Sequence, residues 1–89
     1  MKAILTIIGM DRTGIVYKTS ELLYKLDINI LDISQTIMDD KFVAMFNIDL
    51  DSSKASFDEV CEAFDILAKE IGVDIKIQNE ALFEKMHRI

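Results

Sequence analysis

Two stretches of helical hydrophobic period are set among four of strand character in this sequence, in the order strand, helix, strand, strand, helix, strand. The first stretch, Lys2-Ala3-Ile4-Leu5-Thr6-Ile7-Ile8, is rich in β-branched residues and ends at Gly9, which predicts a strand. One of its faces carries Ala3, Leu5 and Ile7, and the other carries Ile4, Thr6 and Ile8. A strand apolar on both faces belongs in the middle of a sheet, with something covering each side.

A polar turn follows, Gly9-Met10-Asp11-Arg12-Thr13-Gly14. Apolar positions then fall at Ile15, Val16, Thr19 (by its methyl), Leu22, Leu23 and Leu26, one stripe of an α-helix. Asp11 or Thr13 is placed to cap its first amides. Asp27 breaks the stripe, and Ile28 to Met38 reads as a long strand. Its alternation changes phase between Ile30 and Leu31, as a β-bulge would make it. Asp39-Asp40 makes a short turn into a third strand, on which Phe42, Ala44, Phe46, Ile48 and Leu50 alternate with Val43, Met45, Asn47 and Asp49. These two strands form a hairpin. Ser56-Phe57-Asp58-Glu59 has the spacing of a capping box. The second helix follows, with Phe57, Val60, Cys61, Phe64, Leu67, Ala68 and Ile71 on its stripe and Gly72 closing it. Val73, Ile75 and Ile77 alternate with Asp74, Lys76 and Gln78 as a fourth strand. Asn79 then caps a short helical tail whose Leu82, Phe83, Met86 and Ile89 share one face.

The order is that of an α+β, ferredoxin-like βαββαβ sandwich in a single domain over residues 1–89. Such a plan has a four-stranded antiparallel sheet with strands one and three central, both helices on one face, and here a C-terminal helical segment. The uncovered face would hold Ile4, Ile8, Val43 and Met45, too apolar for bulk water. The edge of the second strand also needs a cover. Both point to self-association, with a two-fold homodimer as the common form and a tetramer, made by stacking the apolar faces, as the larger one.

Composition excludes several classes. The net charge is −6, with residues 1–41 close to balance and the surplus of acid after them, so a phosphate backbone is repelled and nucleic acid is not the expected partner. One cysteine makes neither an internal disulfide nor a Cys-only zinc site. No run approaches the roughly 20 apolar residues of a membrane span, and the N-terminus lacks a cleavage pattern, which fits a cytoplasmic protein. Enzyme chemistry has little to stand on. His87 has no nucleophile at a recognisable spacing, Cys61 lies on the apolar stripe, and Asp39 and Asp40 read as a solvated hairpin tip. Phosphate-binding glycine spacing is absent, since Gly9 and Gly14 stand five apart. The first loop has no Cys-x-x-Cys for a metal, and only Arg12 as a base for an acylphosphatase-like activity. The central strands lack the outward aromatics of an RNA-recognition domain. The expectation is a non-enzyme without cofactor or metal.

What remains is the first strand-to-helix loop. It joins a strand end, a helix N-terminus and two glycines, and helix amides favour a carboxylate while Asp11 could pair with an ammonium group. A zwitterion would suit it. So would the plain reading, an ordinary turn with a capping aspartate.

Gly9-Met10-Asp11-Arg12-Thr13-Gly14-Ile15-Val16, followed by Leu26-Asp27-Ile28-Asn29-Ile30-Leu31-Asp32-Ile33-Ser34-Gln35, resembles the ACT domain family. That family shows a Gly-x-Asp-Arg-x-Gly-Ile-Val turn, then a helix, then an Asn-Ile at the opening of the second strand. The resemblance covers essentially the whole chain. Its ending, Leu82 to Ile89, resembles that of small stand-alone bacterial ACT proteins, and the ACT part of glycine-cleavage repressors is also similar. The resemblance implies a regulatory domain that binds an amino acid between two copies paired through the second strand and signals to a separate regulated protein. Carried onto this sequence, the site is Met10, Asp11, Arg12, Thr13, Gly14 and Ile15 of one copy with Asn29 and Ile30 of the other. Gly14 would admit the ligand, loop amides would take its carboxylate, and Asn29 would hydrogen-bond the ligand or the facing loop. Many ACT turns have proline where Thr13 stands, so this loop is expected to be looser. Some ACT domains bind no amino acid and serve only as dimerisation units, which is the alternative reading.

Overall fold

The structure, a computed structural model, describes residues 1–10 and 14–80. Its elements run β1 (Lys2–Met10), α1 (Ile15–Lys25), β2 (Asn29–Met38), β3 (Lys41–Asp49), α2 (Phe57–Ile71) and β4 (Asp74–Asn79). The four strands form one sheet in the order β2-β3-β1-β4, and every neighbouring pair is antiparallel. This is the ferredoxin-like βαββαβ plan, with β1 and β3 central. The expected C-terminal helix, residues 81–89, lies outside the described residues.

The helices pack on one face because one face of each central strand is wholly apolar. Ala3, Leu5 and Ile7 of β1 and Ala44, Phe46 and Ile48 of β3 are buried against Ile15 and Leu23 of α1 and Val60, Phe64 and Leu67 of α2. Emptying such a site is costly: Phe46→Ala would lose about 3–5 kcal/mol. Thr19 joins this core by its methyl, and its hydroxyl finds no hydrogen-bond partner among the described residues.

The bulge on the second strand is present. Ile30 stands opposite Ile48 and Asp32 opposite Asn47, so Leu31 is the extra residue. Beyond it, Ile33 and Ile37 stand opposite Phe46 and Phe42 on the helix side of the sheet, yet both are exposed. The helical layer does not cover this part of β2, and every residue from Leu31 to Met38 is exposed.

One expectation changes. The first strand does not stop at Gly9: it continues through Gly9 and Met10, paired with Phe42 and Lys41. Glycine stands there for room. A Cβ at Gly9 would lie 2.6 Å from Val73 Cγ1 and 3.1 Å from Val73 Cβ, and Val73 is buried. The N-cap of α1 is Gly14 and carries no side-chain cap hydrogen bond. Asp11 and Thr13, the expected caps, lie outside the described residues.

The other helix ends follow the sequence. The Asp27 N–H donates to Tyr24 O at 3.1 Å and the Ile28 N–H to Leu23 O at 2.9 Å, with Asp27 in the left-handed region (φ 57). These are the two bonds of a Schellman ending. Gly72 (φ 70) closes α2, with the Val73 N–H donating to Ala68 O at 3.0 Å.

Candidate functional site

Strand register separates the expected site residues into two groups. Met10 pairs with Lys41, which pairs with Met38, so the end of β1, the start of β3 and the end of β2 share one end of the sheet. Asn29 pairs with Asp49, which pairs with Lys2, at the opposite end. At about 3.3 Å per residue, the two ends are roughly 25 Å apart. Within one chain, therefore, Met10 stands at one end of the sheet and Asn29 and Ile30 at the other, while Gly14 and Ile15 line one cavity together. Asp11, Arg12 and Thr13 lie outside the described residues.

At the first end, Gly14 has φ +98, a backbone conformation that favours glycine, and a Cβ there would meet nothing within 4 Å. The space beside it is a cavity of about 390 Å³. Gly14, Ile15 and Lys18 line it from the start of α1, and Lys69, Glu70, Ile71 and Gly72 line it from the end of α2. The first amides of a helix have no partner within the helix, and they carry the positive end of its dipole. No acidic residue in the first turn of α1 offsets this. The last carbonyls of α2 present the opposite partial charge across the same cavity. The cavity therefore has positive partial charge on its α1 wall and negative on its α2 wall.

At the second end, Asn29 is exposed and lines a depression of about 400 Å³ with Tyr24, Asp27, Ile28, Asp49 and Ser52. Ile30 is half-buried beside Ile48. Carboxylates gather here. The N-terminal ammonium of Met1 donates a hydrogen bond to Asp51 Oδ1 and stands 3.8 Å from Asp49 Oδ1. That hydrogen bond holds Asp51 below the usual carboxylate range and raises the Met1 amino group.

Sequence reasoning missed the residues that complete each end. Lys69 and Gly72 reach the Gly14 cavity from α2, and Asp27 and Asp49 flank Asn29. No local pattern links Gly14 to Lys69, which is brought there by the packing of α2. Asp49 could have been found by counting strand register back from the Asp39-Asp40 turn. Cys61, expected inside the core, is only half-buried, and burial, with Asp58 and Asp65 nearby, pushes its thiol up. A raised thiol is a poor nucleophile. Among the described residues no group of three His, Cys, Asp or Glu side chains could hold a metal, and no helix is long and apolar enough to cross a membrane.

The pattern that defines the ACT domain matches residues 2–78. A UPF0237 protein of Clostridium acetobutylicum is 48% identical over 89 residues, which is 100% of both chains. The structure of an ACT domain protein from Streptococcus pneumoniae superposes with a TM-score of 0.84 at 39% identity and covers 94% of each chain. The regulatory subunit of aspartate kinase from Thermus thermophilus shares the fold, with a TM-score of 0.68 at 24% identity over 89% of this chain and 51% of that one.

Proposed function

The chain belongs to the ACT domain family, whose members are regulatory, ligand-binding domains, and from that we propose that it is a non-enzymatic sensor of an amino acid. The ligand lies at a seam between two copies paired through β2, and its occupancy is passed to a separate protein.

The observation that carries this reading is the separation of the two half-sites in one chain. β2 is an edge strand, ten residues long, with its outer half exposed on both sides. Antiparallel two-fold pairing of β2 with its copy would set the Asn29 end of one chain beside the Met38 end of the other. Met38, Lys41 and Met10 share that end. The loop from Met10 to Ile15 of one copy, with Asp11, Arg12 and Thr13 in it, would then face Asn29 and Ile30 of the other. The chemistry of the two ends is complementary for a zwitterion. Helix amides and Lys18 suit its carboxylate, and the carboxylates of Asp27 and Asp49 suit its ammonium. Binding that favours the paired state shifts the population toward it by its differential affinity.

The test is calorimetry and thermal shift on the full chain with each of the twenty common amino acids, together with sedimentation to follow the dimer. A ligand at about 100 times its Kd should add about 2.7 kcal/mol of stability. Gly14→Leu should abolish that shift while the dimer persists. Absence of binding at millimolar concentration by all twenty would remove the sensor reading. The exposed length of β2 would then favour the second one, a dimerisation module with no small ligand.

A further inference from the structure

On the helix side of the sheet the apolar surface runs on past the helices. The residues of β2 on that side are Ile30, Ile33, Gln35 and Ile37, opposite Ile48, Phe46, Ala44 and Phe42 of β3. Ile30 is half-buried, whereas Ile33 is 37% exposed and Ile37 is 60% exposed. The helix beside this strip is α1, since α2 packs on β4 at the far edge. Ile15, Thr19 and Leu23 of α1 are buried in the core, and Lys18, Glu21, Leu22 and Lys25 face α2. At about 3.6 residues per turn, Val16 and Ser20 stand on the remaining side, toward β2, and both are half-buried. The α2 side of α1 carries the charges of Lys18, Glu21 and Lys25, whereas Val16, Ser20, Ile33, Gln35 and Ile37 carry none.

A second copy completes this strip in one register. Residues directly opposite each other across antiparallel strands point to the same face. Side chains alternate along β2, so a two-fold axis relating two copies of it must pass through a residue and not between two. An axis at Ser34 or Thr36 would set Gln35 opposite an isoleucine. An axis at Gln35 sets Ile33 of each copy opposite Ile37 of the other, and Asp32 falls opposite Met38, so no like charges meet. Ile37 precedes Met38, at the end of the sheet where Met10 leads toward α1. Ile37 of one copy and Ile33 of the other then lie together beside the first turn of α1, which holds Val16.

We infer, on the basis of the sensor reading, that the amino acid bound has an aliphatic side chain, seated on Ile37 of one copy and Ile33 of the other beside Val16. With its carboxylate at the α1 amides and its ammonium at the Asn29 end of the other copy, its side chain is left to the strip between them. A charged side chain there would lose its water with no opposite charge at Val16, Ser20, Ile33, Gln35 or Ile37 to replace it. A hydroxyl beside Val16 and two isoleucines would give up its bonds to water, whereas a methyl in its place gains apolar burial.

Calorimetry on the full chain with valine and threonine, which share a shape and differ by a methyl for a hydroxyl, tests this. Leucine, isoleucine, serine, aspartate and lysine are run alongside. Valine is expected to bind about 10- to 100-fold more tightly than threonine, and serine, aspartate and lysine more weakly than the aliphatic amino acids. Ile33→Thr puts a hydroxyl into the floor and keeps a branched strand residue. It should narrow the valine-to-threonine ratio while sedimentation shows the same dimer. A purely structural role for Ile33 would weaken both ligands alike, and that unchanged ratio would overturn the seat. If the variant loses the dimer, the ratio in the unaltered chain decides. Threonine, serine, aspartate or lysine bound as tightly as the aliphatic amino acids would overturn the inference and leave the sensor reading standing. Failure of valine, leucine and isoleucine to bind would overturn it too, and only silence across all twenty amino acids would remove the sensor reading with it.

Discussion

The two helices begin in opposite ways. α2 starts from Ser56 in extended backbone (φ −73, ψ 164) and closes its first turn with its own side chains. The Ser56 Oγ accepts from the Glu59 N–H at 3.1 Å, and Glu59 Oε1 accepts from the Ser56 N–H at 2.8 Å. Asp58 and Glu59 add negative charge where the dipole is positive. α1 starts from Gly14 at φ +98, which makes no side-chain cap hydrogen bond, and no acidic residue stands in its first turn. It lies beside a cavity that also holds Lys18 and Lys69. One helix start is complete in itself. The other begins on a glycine that brings no side chain of its own to its amides. Glycine stands at that start because its backbone, at φ +98, favours glycine over a residue with a capping side chain.

Gly14→Ser would strain the contrast most. At an ordinary N-cap, serine is as good as glycine or a few tenths of a kcal/mol better, because its oxygen accepts a helix amide from extended backbone. Gly14 is not in extended backbone, so serine there should cost about 1–3 kcal/mol in strain and gain no cap. The nearest atoms to a Cβ lie beyond 4 Å, so collision plays no part. Urea unfolding of the two proteins measures it, and a serine variant as stable as the parent would show that α1 tolerates a conventional cap.

The same contrast marks how far the sequence could be read. The α2 start was legible because a capping box is local: Ser56 and Glu59 stand three apart and satisfy each other. The bulge at Leu31 was legible for the same reason, as a phase change in a run of alternating residues. Gly9 was misread as a strand end because its reason is a contact with Val73, far along the chain. Nor does alternation show where a layer of helices stops. Ile33 and Ile37 have the pattern of core residues and are exposed, because nothing among the described residues reaches that part of β2. The candidate site shared both fates. Gly14 stood out as a glycine at a helix start, whereas the opposition of the Gly14 and Asn29 ends depends on sheet register and became visible only in three dimensions.

Ser56→Ala sharpens the contrast from the other side. It removes the oxygen that accepts the Glu59 amide and should cost about 1 kcal/mol, read from the urea midpoint at unchanged slope. Because Gly14 has no such oxygen to lose, the finding that would unsettle the comparison is a Ser56→Ala protein with unaltered stability.

The smallest effect is electrostatic and has a definite sign. The backbone and side chain of Ser56 hydrogen-bond the Glu59 carboxylate and hold it below the ordinary glutamate range. The folded state thus prefers the charged form. Its contribution is full above the pKa of an unfolded glutamate, about 4.3, and fades as pH falls through the lower folded value. Glu59→Gln removes that titration, so its melting temperature should fall less steeply than the parent's between about pH 5 and pH 3. Asp51, also held low, titrates in both proteins and cancels in the difference. The first turn of α1 has no carboxylate to contribute. Identical acid slopes in parent and variant would mean that the α2 box is closed by geometry alone, and that the two helix starts differ in shape but not in charge.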